Sequence, residues 1–71
     1  MVKNYIFIYV NGKPFNCSKN FSLKDLLLYL DINLNSNLVE YNGEIVQNPL
    51  SGEFILRQDD KIEVVTIVGG G

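Results

Sequence analysis

The hydrophobic residues of this chain recur with two different periods, and each period predicts a different kind of element. Residues 4–10, "NYIFIYV", are β-branched and aromatic, which is typical of a strand. Because successive side chains of a strand point to opposite faces, this segment has an aliphatic face and an aromatic face. The aliphatic face holds Ile6, Ile8 and Val10, and the aromatic face holds Tyr5, Phe7 and Tyr9.

The residues after this strand predict a hairpin. "NGKP" at residues 11–14 supplies a turn, because Asn-Gly tolerates positive φ. "FNCS" at residues 15–18 then predicts a short strand that returns beside the first.

A period of 3.6 residues predicts a helix over residues 22–31, "SLKDLLLYLD". Ser22 and Asp25 have the spacing of a capping box, with Asp in the place usually taken by Glu or Gln. Phe21 and Leu26 stand where a hydrophobic staple would form. The apolar stripe of this helix consists of Leu23, Leu26, Leu27 and Leu30.

The second half of the chain returns to short strands. "LVEYNGEIV" at residues 38–46 predicts two of them around another Asn-Gly, and "RQDD" at residues 57–60 predicts a charged turn. "KIEVVTIV" at residues 61–68 predicts a last strand with Ile62, Val64 and Thr66 on one face and Glu63, Val65 and Ile67 on the other. A sheet of about five strands with one main helix on one face is the simplest way to bury these stripes. We therefore predict an α+β roll.

Size and cysteine content restrict how such a domain is stabilised. The chain has 71 residues, which indicates one small domain over residues 1–68 followed by a flexible glycine tail at residues 69–71. The single cysteine, Cys17, excludes an internal disulfide, and no Cys/His cluster is present to bind zinc. The core must therefore be held by packing.

Charge and hydropathy argue against two classes of partner. Six basic and eight acidic residues give a net charge of −2, and the basic ones are scattered, which does not suit a binder of nucleic acid or of an anionic membrane. No apolar stretch approaches the roughly 18 residues of a membrane span, and no signal-peptide cleavage site follows the N-terminus. Alanine, histidine and tryptophan are absent, a bias expected of an A/T-rich coding sequence. We expect a cytoplasmic protein, or one of the plastid stroma if the gene is organelle-encoded.

The residues that could carry chemistry are few. Cys17 has no histidine to activate it and fits a half-buried strand position. Asp59 and Asp60 are better explained as a solvated turn than as a cation site. Without a nucleophile–base pair, a phosphate-binding loop or a metal cluster, the sequence indicates a substrate of enzymes rather than an enzyme, with no bound cofactor.

The chain ends in "VTIVGGG", where a strand runs directly into three glycines. Three extended residues reach about 10 Å, at roughly 3.3–3.6 Å each, and residues without Cβ atoms can enter a narrow channel. The carboxylate of Gly71 would be ionised at neutral pH and needs activation before it can act as an acyl donor. Such a tail suits delivery of the terminal carboxylate into another protein's active site.

Four segments resemble the ThiS family, the ubiquitin-like sulfur carriers of thiamine (thiazole) biosynthesis. They are "VNGK" (10–13), "SLKDLLLYL" (22–30), "LVEYNGEIV" (38–46) and "DDKIEVVTIVGGG" (59–71). The resemblance covers nearly the whole chain, with two departures. "QNPLSGEF" lacks the Arg and Trp that often follow "GEIV" in the family, and "QDD" at residues 58–60 replaces D-G-D. Loss of that glycine predicts backbone strain or a different turn.

The resemblance implies a fold and a reaction. The fold would be a ubiquitin-like β-grasp with a mixed sheet, in which the first and last strands are neighbours. A ThiF-like enzyme would use ATP and magnesium to adenylate Gly71, and sulfur from a cysteine-desulfurase-type donor would convert it to a thiocarboxylate. The carrier would then give its sulfur to a ThiG-like thiazole synthase, with Gly69 and Gly70 threading the active sites of these partners.

Two other functions share this tail chemistry: a MoaD-like carrier for molybdopterin, and a modifier conjugated to proteins through Gly71. An inert binding module is a third alternative. If the first and last strands are neighbours, the aromatic face should lie beside Val65 and Ile67. We predict that this exposed apolar patch, formed by Tyr5, Phe7, Tyr9, Val65 and Ile67, binds partners. The alternative is that the aromatic residues only stabilise cross-strand pairs.

Overall fold

The computed structural model describes residues 4–67, so the glycine tail predicted at residues 69–71 lies outside the described part of the chain. The described elements, in chain order, are β1 (Tyr5–Val10), β2 (Lys13–Ser18), α1 (Leu23–Tyr29), β3 (Asn37–Tyr41), β4 (Glu44–Ile45) and β5 (Lys61–Thr66). The strands form one sheet in the order β2-β1-β5-β3-β4, in which β1 and β5 are parallel and the other pairs are antiparallel. The mixed sheet of five strands and the central pairing of β1 with β5 are thus confirmed.

The start of helix α1 follows from local hydrogen bonding. Ser22 Oγ accepts a hydrogen bond from Asp25 N at 3.0 Å, and Asp25 Oδ2 accepts one from Ser22 N at 3.0 Å. This reciprocal pair is the predicted capping box, with an aspartate in the acidic position. The hydrogen bond that the carboxylate accepts from the Ser22 backbone is the largest cause that lowers the pKa of the Asp25 carboxyl, and a side-chain hydrogen bond from Ser22 lowers it further, because each stabilises the charged form.

The helix ends earlier than predicted, at Tyr29 rather than residue 31. Asp31 has a φ of 56°, and Ile32 N donates to Leu27 O at 3.0 Å. Together with the bond from Asp31 N to Leu28 O, these contacts form a Schellman motif, which is usually built around a glycine. The left-handed residue therefore closes the helix one turn after its last buried leucine.

The core lies between α1 and one face of the sheet. Its fully or nearly fully buried hydrophobic residues are Ile8, Cys17, Leu23, Leu26, Leu27, Val39, Leu56 and Ile62. The predicted aliphatic face of β1 and apolar stripe of α1 both contribute, with Ile6, Val10 and Leu30 packed against this cluster. Leu56 was not predicted, because it comes from a loop without periodicity. It is held by a bond from its N–H to Phe21 O at 2.9 Å.

The turn at residues 57–60 differs from the solvated turn that the sequence suggested. Asp59 has a φ of 69°, a left-handed conformation in the place of the glycine that the related pattern carries, so the predicted strain is present. Asp60 is only 9% exposed, and its carboxylate accepts hydrogen bonds from the main chain and from β3. The interpretation of Asp60 as a solvated residue is therefore wrong.

Candidate functional site

Strand β5 leads along the chain into residues 68–71 and is held on both sides by Asn-Gly turns. Asn11 and Gly12 have φ values of 50° and 80°, and Asn42 and Gly43 have φ values of 50° and 89°. Two successive residues with positive φ are the signature of a type I′ hairpin turn, which explains the sequence preference for Asn-Gly at both places.

Each asparagine also forms hydrogen bonds to β5. Asn11 N donates to Ile62 O at 2.9 Å, and Asn11 Oδ1 accepts from Val64 N at 2.7 Å. Asn42 N donates to Lys61 O at 2.7 Å, and Asn42 Oδ1 accepts from Lys61 N at 2.8 Å. The amide side chains therefore extend the backbone ladder, a role that the sequence patterns around "NG" do not reveal.

A buried carboxylate stabilises the beginning of β5. Asp60 accepts hydrogen bonds from the Tyr41 hydroxyl, from Asn42 Nδ2 at 3.1 Å and from Arg57 N at 2.8 Å. Its carbonyl oxygen accepts from Tyr9 N at 2.8 Å, which joins the same turn to β1. This network fixes where β5 begins between its two neighbours.

The same network changes the acidity of a tyrosine. The pKa of Tyr41 is raised to about 12, chiefly by burial and then by the hydrogen bond to Asp60 and the negative charge of Asp60. An unfolded tyrosine has a pKa near 10. Between about pH 10 and pH 12 the unfolded chain therefore releases a proton that the folded protein keeps.

We expect the Tyr41 contribution to stability to be complete below about pH 10 and to be lost as the pH rises to about 12. Denaturant unfolding of the wild type and of Tyr41→Phe, measured at neutral pH and across this alkaline window, checks this. At neutral pH, Tyr41→Phe should cost about 1–3 kcal/mol, because a buried acceptor loses its hydroxyl partner. The substitution should also flatten the alkaline loss. A wild type and a variant with the same alkaline slope would contradict the prediction.

The face of the sheet away from α1 carries several exposed apolar residues. Tyr5 is 67% exposed, Phe7 50%, Val65 45% and Ile67 45%, while Tyr9 is half-buried. Exposure of these side chains agrees with the predicted alternation. Their role in partner binding stays a prediction.

The expected adjacency of these residues is wrong. Within the β1–β5 pair, Tyr9 lies opposite Lys61, and Asp59 N donates to Phe7 O at 2.8 Å. Val65 therefore lies about 13 Å farther along the strand direction than Tyr9, at about 3.3 Å per residue. The open face has two separate apolar areas, an aromatic patch (Tyr5, Phe7 and Tyr9) and an aliphatic patch.

The aliphatic patch consists of Leu38, Val65 and Ile67. Leu38 lies directly opposite Val65 in the antiparallel β3–β5 pair and is 42% exposed. Leu38 was not predicted as part of this surface, although its alternation with buried Val39 is a signal visible in the sequence. This patch is the one next to the end of β5 from which the chain continues toward Gly71.

The remaining candidates for chemistry were the thiol of Cys17, a metal cluster and the terminal glycines. Cys17 is buried, and burial raises the pKa of its thiol, so the reactive thiolate is disfavoured. Among residues 4–67, no three His, Cys, Asp or Glu side chains cluster in a way that could hold a metal ion. No helix in this range is long and apolar enough to cross a membrane. Gly69, Gly70 and Gly71 lie outside the described residues, and their roles stay predictions.

Comparison with known proteins connects this geometry to one family. Residues 8–71 match the ThiS family. Among solved structures, the thiamine biosynthesis protein ThiS from Geobacter metallireducens is similar, with a TM-score of 0.78 and 26% identity. The match covers 93% of this chain and 100% of that one, and it confirms the β-grasp class of the fold.

Relatives in sequence are of two kinds. The ycf40 proteins of Pyropia yezoensis and Porphyra purpurea are 48% and 42% identical over 71 residues, which is the full length of both chains in each comparison. A thiazole synthase of Magnetococcus marinus is 38% identical over 64 residues, which are 90% of this chain and 20% of the synthase. A segment similar to almost all of this chain is therefore part of a longer protein in that organism.

Proposed function

Because the chain belongs to the ThiS family, we propose that it is a sulfur carrier of thiamine biosynthesis that acts through the carboxylate of Gly71. The observation that carries the proposal is a family match that extends over residues 8–71 and so includes the three terminal glycines. The β-grasp fold, shared with the ThiS protein of Geobacter metallireducens at a TM-score of 0.78, supports it.

The reaction proceeds by acyl activation. The Gly71 carboxylate attacks the α-phosphorus of ATP and releases pyrophosphate, which leaves a mixed anhydride with AMP. Sulfide, or a persulfide sulfur supplied by a cysteine-desulfurase-type donor together with a thiol reductant, then takes the acyl group and displaces AMP. The product is a C-terminal thiocarboxylate. ATP and magnesium belong to the ThiF-like activating enzyme.

The thiocarboxylate then passes its sulfur to a ThiG-like thiazole synthase. The thiazole synthase of Magnetococcus marinus supports this partner, because it contains within one protein a segment 38% identical to this chain. Where the two segments belong to one protein they are held together, and we infer that the corresponding separate proteins bind each other.

The chain itself acts as a co-substrate and not as an enzyme. Within residues 4–67 the thiol of Cys17 is buried, and the one strongly perturbed acid, Tyr41, is engaged with Asp60. Neither group is arranged to transfer a proton to a bound substrate. We place the protein in the cytoplasm, or in the plastid stroma if the gene is organelle-encoded, and the ycf40 relatives support the second location.

The test is the intact mass of the full-length protein after incubation with ATP, magnesium, sulfide and a candidate activating enzyme. We expect the mass gain of one oxygen replaced by one sulfur with the ThiF-like enzyme, and sulfur delivery to thiazole synthase in a second step. Activation only by the molybdopterin-pathway enzyme would support the MoaD-like alternative. Isopeptide-linked species of higher mass in the source cell, without free thiocarboxylate, would support the modifier alternative.

The position of the aliphatic patch leads to a prediction about docking. Leu38→Ala should weaken binding to the activating enzyme about fivefold or more, as expected when a well-packed apolar contact worth over about 1 kcal/mol is lost. Phe7→Ala should also weaken binding, but less, because Phe7 lies on the aromatic patch, farther from the end of β5. Titration calorimetry measures both.

Leu28→Ala is the matched control for these two variants. Leu28 is 61% exposed, but it belongs to α1, which packs on the other face of the sheet. Its substitution should leave the affinity unchanged. Equal losses for Leu28→Ala and Leu38→Ala would show that the open face is not the docking surface.

A further inference from the structure

Strand β5 is supported unequally along its two edges. On the β3 side, backbone pairing runs from Ile62 to Thr66, and Ile67 N donates to Ser36 O at 2.8 Å. On the β1 side, the ladder covers only Lys61 and Ile62, because β1 ends at Val10. The half of β5 nearer the C-terminus therefore extends past the end of β1 and has no β1 backbone beside it.

The side chain of Asn11 supplies a partner on this unsupported side. Its Oδ1 accepts a hydrogen bond from Val64 N at 2.7 Å, two residues beyond the last paired residue of β5. The main chain of Asn11 is held at the same time, because its N–H donates to Ile62 O at 2.9 Å. One residue of the first hairpin turn thus continues the β1–β5 ladder after β1 has turned away.

We propose that Asn11 is a positioning residue for the C-terminal tail. By holding Val64 from the β1 side, it fixes the direction of β5 up to Ile67, the last described residue, and so the point from which the tail is delivered to an activating enzyme. This role rests on the proposed function. It is separate from the docking prediction, which concerns contact between the aliphatic patch and a partner, whereas Asn11 acts on the strand.

The second Asn-Gly turn provides a matched reference within the same molecule. Asn42 has the same φ of 50° and also accepts a hydrogen bond from β5 through Oδ1, at Lys61 N. It holds the beginning of the strand, whereas Asn11 holds the half nearer the tail. Asn42 also donates to Asp60, so its loss should cost at least as much stability. Comparison of the two sites therefore separates tail positioning from general stabilisation.

The test uses glycine substitutions, because glycine accepts the positive φ of the turn while the side-chain amide is lost, and the added backbone freedom is the same at both sites. The full-length protein is the varied substrate of the activating enzyme with ATP and sulfide. For Asn11→Gly we expect kcat to fall about tenfold with KM nearly unchanged, since misplacing a reacting group by about 1 Å can cost about 100-fold. Asn11→Asp keeps an acceptor oxygen and should restore kcat. Asn42→Gly should leave kcat within about twofold of wild type, because Lys61 is far from the tail.

Amide hydrogen exchange gives a readout that does not depend on the enzyme. Exchange at Val64 should accelerate in Asn11→Gly beyond what the loss of overall stability explains, whereas in Asn42→Gly it should change only as much as the loss of overall stability requires. If exchange accelerates but kcat does not change, the positioning role is wrong and the proposed function stands. If Asn42→Gly loses as much kcat as Asn11→Gly, the loss comes from lower stability, and the positioning role of Asn11 is wrong. If wild type is not activated, the proposed function fails and the positioning role fails with it.

Discussion

Deletion of Gly71 should abolish thiocarboxylate formation and leave the free energy of unfolding within about 0.5 kcal/mol of wild type. The buried hydrophobic residues of the described range run from Ile8 to Ile62 along the chain, and β3, Ser36 and Asn11 hold β5 through hydrogen bonds at residues up to Ile67. Stability therefore depends on residues that the deletion leaves in place. The reaction depends on the residue that is removed, because the shortened chain carries its terminal carboxylate on Gly70.

The expected size of the loss follows from geometry. Removing one extended residue withdraws the carboxylate by roughly 3.3–3.6 Å, whereas a misplacement of about 1 Å can already cost about 100-fold. Gly71→Ala keeps the length and adds a methyl group, so it tests the width of the channel separately. Intact mass after the ATP-dependent reaction, beside thermal melting, measures both effects. A deletion variant that gains sulfur like wild type would show that Gly71 is not the reacting residue.

A glycine added after Gly71 is the control for tail length. It displaces the carboxylate in the opposite direction by about the same 3.3–3.6 Å and keeps all the natural residues. We expect this variant to be activated as poorly as the deletion and to melt like wild type. Normal activation of the longer chain would indicate that the active site tolerates displacement, so the loss in the deletion would need another cause.

The elements that the sequence predicted correctly are those specified by neighbouring residues. The start of α1 depends on Ser22 and Asp25, three residues apart, and both hydrogen bonds of the capping box are present. The faces of β1 follow from alternation, which places Ile8 in the core and leaves Phe7 half exposed. Both hairpins follow from Asn-Gly, because few other residue pairs accept two successive positive φ values.

The offset between β1 and β5 could not be obtained in this way. These strands are parallel and far apart in sequence, so no tight turn between them sets their register. Alternation assigned the faces of both strands correctly, but it does not determine which residues of β1 and β5 lie opposite each other. The structure places Tyr9 opposite Lys61, and the predicted single patch becomes two.

The environment of Asp60 was missed for a related reason. Its side-chain partners, Tyr41 and Asn42, are 19 and 18 residues away along the chain. A pair of adjacent aspartates between polar residues is usually solvated, and only the approach of β3 to β5 buries one of them. The Oδ1 contacts of Asn11 and Asn42 with β5 likewise require tertiary structure, although the need for asparagine at these turns was visible locally.

Leu27→Ala should destabilise the domain by about 2–5 kcal/mol, the largest loss of stability that we expect from a single truncation. Leu27 is 1% exposed and belongs to the cluster that joins α1 to the sheet. Truncation removes buried methyl groups and leaves a cavity that the surrounding side chains fill only in part. A domain of 71 residues has a small stability margin, so this loss should be evident in its melting temperature.

Leu28→Ala is the matched control, because it makes the same chemical change at the next residue of the same helix. Leu28 is 61% exposed, so its truncation should change stability by less than about 0.5 kcal/mol. Denaturant unfolding of both variants measures the difference, and the ATP-dependent mass shift reports the chemistry of the fraction that remains folded. That fraction of Leu27→Ala should still be activated, because the substitution lies in the core and leaves β5 and its two asparagine contacts in place. Equal destabilisation by the two substitutions would contradict the packing of α1 against the sheet, since only one of these leucines faces it.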